Sequence, residues 1–289
     1  MQYQGTIYRP PSEANSVLLQ VTTGCSHNKC TFCGMYKGQR FTIKPEESVL
    51  GDIDYAAIHF AHARRLFLCD GDALILPTNR LLTILQRIQT KLPNVSRVGV
   101  YANTKSLRSK SVEELQLLRQ HGLGIVYIGL ESGDDATLQY INKGADAEQM
   151  ITAARKAKKA GIPVSVTVLL GVAGPERSAI HAAETGRVLS AIDPEFVGAL
   201  SLMLEPGTVL YDAYQAGQFA MPEPFAILHE LRTMIAATNL SNGLFHANHA
   251  SNYLPIRAKL PEEKDATLDV LDRALAGNLA LKPEHLRAL

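Results

Sequence analysis

The 289-residue chain is 46% hydrophobic and 20% charged, enough apolar material for one large α/β domain or two ordinary ones. Its 29 Lys and Arg nearly cancel 28 Asp and Glu, and a formal charge of +1 gives no general pull toward nucleic acid or an anionic membrane. No apolar run approaches the ~20 residues that span a bilayer, and the first sixteen residues lack the charged and apolar regions of a leader. The expectation is a cytoplasmic protein with no membrane attachment.

Taken in chain order, short runs rich in Val, Ile, Leu and Tyr predict strands at Ser16–Thr22, Arg65–Cys69, Ser96–Tyr101, Ile125–Leu130, Pro163–Leu170 and Phe196–Leu202. Each is bounded by Gly, Pro, Asp or Asn. Helical patterns lie between them. One begins near Pro45. Another has Ser111 as N-cap, Glu114 three residues later, apolar Val112, Leu115 and Leu118, and Gly122 as terminator. A third runs from Asp146 to Gly161. Six β–α alternations predict an α/β fold, a partial (β/α)6 TIM-type barrel of parallel strands with helices outside. Residues 1–204 form that barrel with its N-terminal lead-in. Residues 205–289 form a C-terminal helical extension packed on it, with helices at 223–241 and 261–276 and a polar loop over 246–261.

Three of the four cysteines lie together directly after the first strand, in TTGCSHNKCTFCGMYKGQRF. Cys25, Cys30 and Cys33 have the spacing C-x4-C-x2-C, which points to metal rather than to a disulfide scaffold. Structural zinc normally takes four protein ligands. A [4Fe–4S] cluster on three thiolates leaves one iron open. Iron–sulfur, zinc and incidental buried thiols all remain readings of these residues alone. In (β/α) barrels, functional groups sit on loops after the C-terminal ends of strands, and this loop holds that place. Cys69, on the second strand, reads as a buried small hydrophobe.

The segment GCSHNKCTFCGMYK resembles the signature of the radical S-adenosylmethionine (SAM) superfamily, with Phe32 in the aromatic position before the last cysteine. Its first interval is one residue longer than usual. Three further segments are similar to motifs of the same superfamily. Asp70-Gly71-Asp72 stands where a GGE-type turn meets the amino group of SAM's methionine moiety. GLESGDDATLQYINKG resembles the branch of oxygen-independent coproporphyrinogen oxidase and the methylthiotransferases, in which Glu131 would contact SAM and Lys143 would pair with its carboxylate. VLLGVAGPE would set Gly171 and Gly174 beside adenine, and Asn103 would face the ribose.

The resemblance implies a [4Fe–4S] cluster on Cys25, Cys30 and Cys33, with SAM on Gly71, Asp72, Asn103, Glu131, Lys143, Gly171 and Gly174. It implies reductive cleavage of SAM, usually to methionine and a 5′-deoxyadenosyl radical that abstracts hydrogen from a substrate. An electron donor such as flavodoxin or ferredoxin follows from that chemistry. The absence of a second cysteine cluster disfavours a methylthiotransferase, and a small organic molecule is the expected substrate. Tyr36, Glu205, His246, His249, Asn252 and Tyr253 are candidates to meet it, the two histidines reading as i and i+3 on a helical turn. The alternative is a non-catalytic iron–sulfur or zinc protein acting as sensor or carrier, which would need no SAM pocket.

Overall fold

The computed structural model describes residues 1–288. In chain order the elements are β1 (Val17–Gln20), β2 (Thr22–Thr23), β3 (Thr42–Ile43), α1 (Glu46–His59), β4 (Arg65–Cys69), α2 (Thr78–Lys91), β5 (Arg97–Ala102), α3 (Thr104–Arg108), α4 (Val112–Gln120) and β6 (Leu123–Glu131). There follow α5 (Asp135–Tyr140), α6 (Ala147–Lys159), β7 (Val164–Leu170), α7 (Gly174–Ile192), β8 (Phe196–Ser201), α8 (Val209–Gln215), α9 (Pro224–Ala237), β9 (Gly243–His246), β10 (Arg257–Leu260) and α10 (Lys264–Leu275). All six expected strands are present. The first is shorter than expected, because the chain breaks at Val21 and Thr22–Thr23 pairs antiparallel with Thr42–Ile43 instead.

The chain forms two compact units. The first comprises Met1–Asn28, Met35–Ile128 and Thr152–Val164. Within it β1, β4, β5 and β6 pair in parallel, in that order. Parallel strands covered on both faces read as continuous apolar runs, and Leu66, Phe67, Leu68 and Val100 are fully buried. Helix α2 presents Leu81, Ile84, Leu85 and Ile88 as one buried stripe at i, i+3, i+4 and i+7. Each such side chain contributes about 1.5–3 kcal/mol when fully removed from water.

The underside of this unit is closed by the lead-in. Glu13 is fully buried there and accepts from Arg97, Tyr127 and Ser16. A buried carboxylate is tolerated because each of its oxygens is matched by a donor.

The second unit comprises Lys29–Gly34, Gly129–Ile151 and the chain from Ser165 onward. Here β7, β8 and β9 are parallel neighbours, and β10 closes on β9 antiparallel. Helices α7 and α9 pack together, burying Val188 and Leu189 of the one and Leu231, Met234 and Ile235 of the other. The polar segment 246–261 is not simply a loop. It runs from the last residue of β9 into β10, Arg257–Leu260, which the sequence does not announce because each strand is only four residues long. The extension therefore contributes two strands as well as helices.

Helix α4 begins as its sequence dictates. The Glu114 N–H donates to Ser111 Oγ at 3.1 Å and the Ser111 N–H donates to Glu114 Oε2 at 2.7 Å, a complete capping box. Glu114 Oε1 also accepts from Thr78 on α2 at 2.7 Å. Ser111→Ala should therefore cost about 1 kcal/mol. Glu114→Ala should cost more, because it also strips the bond to α2. Thermal melts of the two variants against wild type measure both; equal shifts would show that the Thr78 bond contributes nothing.

Candidate functional site

In the first unit the ends of β2 and β4 build one polar corner. Asp70 leaves β4 with φ +76°, a left-handed conformation that a side chain other than glycine rarely adopts. Its carboxylate accepts from Gln20 Nε2 at 2.9 Å, and burial raises its pKa to about 6. Gly71 N–H donates to Gly24 O at 3.1 Å, tying this turn to the start of the cysteine loop. A Cβ at Gly71 would stand 2.7 Å from Cys25 Cβ and 2.9 Å from the Tyr36 ring. Glycine is thus required by close approach to the first thiol. Asp72 is fully buried: its Oδ2 accepts from Ser26 Oγ at 2.5 Å and from Asn103 Nδ2 at 2.8 Å, and burial pushes its pKa up. Its Oδ1 is buried without a hydrogen bond, as are Asp70 Oδ1 and Tyr36 Oη.

Asn103 has two tasks in this corner. It caps α3 through a reciprocal pair with Ser106 while its amide donates to Asp72 and Ser26. Tyr36 is buried, packs edge-on against Tyr8 with centroids 5.4 Å apart, and has its phenol pKa raised by burial.

The four cysteines differ in setting, and none is in a disulfide. Cys25 belongs to the first unit, and Cys30 and Cys33 to the second. All three are half-buried. Cys69 is fully buried, its thiol pKa is driven up by burial, and it points back to Phe67 O at 3.4 Å. A metal ligand must be a thiolate, so the environment of Cys69 suits packing. Among the described residues no group of three or more His, Cys, Asp or Glu is already drawn together closely enough to hold a metal ion. The segment carrying Cys30 and Cys33 is pinned within its own unit: Thr31 N–H donates to Ile141 O at 2.9 Å and Thr31 O accepts from Leu210 N–H at 2.9 Å.

The end of β6 carries the second corner. Lys143 Nζ donates to Glu131 Oε1 at 2.9 Å, both side chains being largely buried. Glu131 itself has φ +64°. A Cβ on Gly129 would collide with the Glu131 carboxylate and come within 2.9 Å of Lys143 Nζ, so the ion pair lies directly over a bare stretch of strand. Sequence reading overlooked Gly129, although i and i+2 share a strand face. Three residues further, Asp134 caps α5 and receives a two-pronged Arg177 guanidinium at 2.8 and 2.9 Å. Burial would raise the Asp134 pKa, but Arg177 and Thr137 hold it at about 2.

Gly171 ends β7 with φ +81°, and its N–H donates to the buried Glu230 carboxylate at 2.6 Å. Gly174 starts α7 against Phe219. Glu205 lies against Gly34, where a Cβ would run into its carboxylate.

The histidine pair does not sit on a helical turn. His246 ends β9 and His249 lies in the turn beyond, bonded to Ser251 Oγ at 2.9 Å. Burial lowers the pKa of both. Asn252 is buried and fully engaged, accepting from Ser201 and donating to Ala199 O. Tyr253, its phenol pKa pushed up to about 12 by burial, is clasped by Glu284 and by Arg287, whose guanidinium carbon lies 4.2 Å from the ring centre.

Mostly parallel strands, with a thiol-bearing loop after the first of them and polar residues at the ends of later ones, place the chain in the partial-barrel α/β class. The family model described as the radical SAM superfamily matches residues 19–185, and the chain belongs to that superfamily. Its cofactors are those of the family, a [4Fe–4S] cluster and SAM.

The chain is 24% identical over 144 residues to the heme chaperone HemW of Bacillus subtilis, covering 50% of this chain and 37% of that one. It is 32% identical over 111 residues to an uncharacterized protein of Methanocaldococcus jannaschii, covering 37% and 34%. It thus spans little more than a third of the length of either relative. Among solved structures, coproporphyrinogen III oxidase HemN from Escherichia coli aligns with TM-score 0.57 at 16% identity, over 76% of this chain and 51% of that one. The methyltransferase TsrM from Kitasatospora setae aligns with TM-score 0.57 at 18% identity, over 90% and 52%. These two likenesses are of fold. Among the described residues, no helix is long and apolar enough to cross a membrane.

The Asp134–Arg177 pair makes the β6 corner acid-sensitive. A carboxyl depressed in the folded state stabilises above its unfolded pKa, and that stabilisation disappears as pH falls through the folded value. Between about pH 4 and 2, wild type should lose on the order of 1 kcal/mol that Asp134→Asn never had, a figure kept low because Arg177 is 42% exposed. Urea midpoints of both proteins across that window should converge. A constant gap between them would contradict the assignment.

Proposed function

We propose that the chain holds its [4Fe–4S] cluster on Cys25, Cys30 and Cys33, binds SAM at the strand-end corners, and starts radical chemistry on a small organic substrate. The observation that carries this reading is the Glu131–Lys143 pair seated over Gly129. A sensor or carrier would have no use for a largely buried carboxylate and ammonium at a strand end, and that alternative finds no support in the comparisons. In support of the proposed reading, Cys25, Cys30 and Cys33 are half-buried thiols in no disulfide, and the missing Cβ of Gly71 leaves the turn against Cys25 bare.

In this reading Glu131 and Lys143 present opposite charges suited to the amino-acid end of SAM. The backbone at Gly71 receives its amino group. Asp72 holds Ser26 and Asn103 through Oδ2 and leaves Oδ1 unpartnered for the ammonium of SAM. Gly171 and Gly174 flank adenine through backbone. Together, the bound groups supply one-electron cleavage of a carbon–sulfur bond, with electrons from a donor such as flavodoxin or ferredoxin. Glu205, His246 and His249 are the polar side chains assigned to the substrate, with Tyr36 beneath the cysteine loop.

Anaerobic reconstitution of the wild-type chain should incorporate close to four iron atoms, and addition of dithionite and SAM should release methionine. Cys25→Ala, Cys30→Ala and Cys33→Ala should each lose most of that iron, whereas Cys69→Ala should keep it. Lys143→Ala should retain iron and weaken SAM binding about tenfold, the scale of one lost charge-assisted bond. Stoichiometric zinc with no iron uptake, or iron with no SAM turnover, would overturn the reading.

A further inference from the structure

Behind the β6 corner lies a chain of buried polar groups that the reading above does not use. His181, on α7, has no exposed surface, and neither has Ser132, the residue after Glu131; Glu230 on α9 is equally enclosed. His181 Nδ1 is 2.7 Å from Ser132 Oγ. On its other side His181 Nε2 faces Glu230 Oε1 at 3.4 Å, close enough for electrostatic contact though not aligned as a hydrogen bond. That same Oε1 accepts the Gly171 N–H at 2.6 Å, and Oε2 accepts from Ser178. One imidazole therefore stands between the turn that follows β6 and the turn that follows β7.

The donors and acceptors suit one direction along the chain. Ser132 Oγ accepts the Asp134 N–H at 3.0 Å, so its hydroxyl proton is available to His181 Nδ1. With Nδ1 accepting, the Nε2 N–H would face the Glu230 carboxylate. Thr185, one turn along α7, takes the Gly133 N–H at 2.8 Å. The helix lies so close beneath that turn that a Cβ on Gly133 would stand 2.7 Å from Thr185 Cα. The turn thus rests on α7 through backbone and side chain alike.

Such a chain is expensive unless it is kept complete, since each buried polar group left unmatched costs about 1–3 kcal/mol. Apolar residues at 132, 181 and 230 would fill the same space without that liability. What the polar set provides is coupling. Glu131, at φ +64°, and Gly171, at φ +81°, each hold a left-handed backbone, and each is braced by one end of the chain.

We propose that His181, held between Ser132 and Glu230, is a positioning residue that locks the Glu131 turn and the Gly171 turn into the conformations that receive SAM. The proposal rests on the assignment of those two turns to SAM. It predicts that loosening the imidazole frees both turns at once, while the cysteine loop keeps its iron.

Two measurements on the full chain test this. The first is amide hydrogen exchange of the apo protein over 130–134 and 170–175, which needs no cofactor. The second is SAM affinity of the iron-reconstituted protein by anaerobic equilibrium dialysis. In His181→Ala both turns should exchange faster, iron should stay at the wild-type level, and SAM should bind about tenfold more weakly. His181→Asn keeps a polar atom near Nδ1 and should protect the first turn only. His181→Gln reaches toward Glu230 and should protect the second. Glu230→Gln retains an acceptor for Gly171 with little change of volume, and serves if the alanine variant fails to fold. It should loosen only the link to His181 and weaken SAM binding less.

Wild-type exchange at either turn in a folded His181→Ala protein would overturn the proposal. So would faster exchange spread evenly through the chain, which marks general destabilisation. If wild-type protein takes up iron but does not bind SAM, the assignment of the turns fails, and the exchange experiment still decides whether His181 couples them.

Discussion

Each strand-end turn depends on how its strand is made to stop. Asp70, Glu131 and Gly171 stand at or just beyond the ends of β4, β6 and β7, and all three adopt positive φ. One left-handed residue swings the chain sharply out of the sheet direction, so the groups that follow need not continue along the strand. For glycine this conformation is inexpensive. For an aspartate or a glutamate it costs on the order of 1–3 kcal/mol, and persists only where the surroundings over-determine it. Gln20 anchors the Asp70 carboxylate, and Lys143 anchors that of Glu131. Strain and anchor thus fall together, at Asp70 in the first unit and at Glu131 in the second.

Polar groups around these turns are buried in small, nearly complete sets rather than scattered in solvent. Asp72 collects Ser26 and Asn103; Asp134 collects Arg177 and Thr137; Glu230 collects Gly171 and Ser178. Inside a protein such bonds resist reorganisation, so a ligand meets groups already oriented. Exceptions among the described residues include His181 Nε2 and the oxygens of Asp70, Asp72 and Tyr36, the last three lying around Gly71, where the cysteine loop and the β4 turn touch.

Sequence patterns resolved the parts of the fold whose causes are local. The buried parallel strands read as unbroken apolar runs, and the start of α4 could be named to the residue because Ser111 and Glu114 meet within a single turn. β9 and β10 escaped because four residues of mixed polarity carry no periodicity, and their pairing joins positions such as Phe245 and Ala258 across the polar segment between them. The spacing of His246 and His249 matched a helix equally well, and only the pairing of β9 with β8 excludes one. The partners that buried residues find across the fold were not legible. Nothing in the spacing of Ser132, His181 and Glu230 relates them, since their contact is made by α7 and α9 packing together.

The same contrast narrows what can read a substrate. Asn252 and Tyr253 stand in the most polar stretch of the chain, yet both are occupied. Asn252 uses its oxygen and its amide to hold Ser201 and Ala199 at the end of β8, and Tyr253 lies under Arg287 with its hydroxyl on Glu284. A side chain so bound would have to break buried bonds before it met a ligand, losing much of what the new contact contributes. His246 and His249 are differently placed. Burial lowers both pKa values, so at neutral pH these imidazoles are neutral and each can donate or accept a hydrogen bond. Nε2 of His246 is buried and has no hydrogen-bond partner. His246 thus keeps an unused hydrogen-bonding nitrogen, where Asn252 and Tyr253 have their polar atoms taken up.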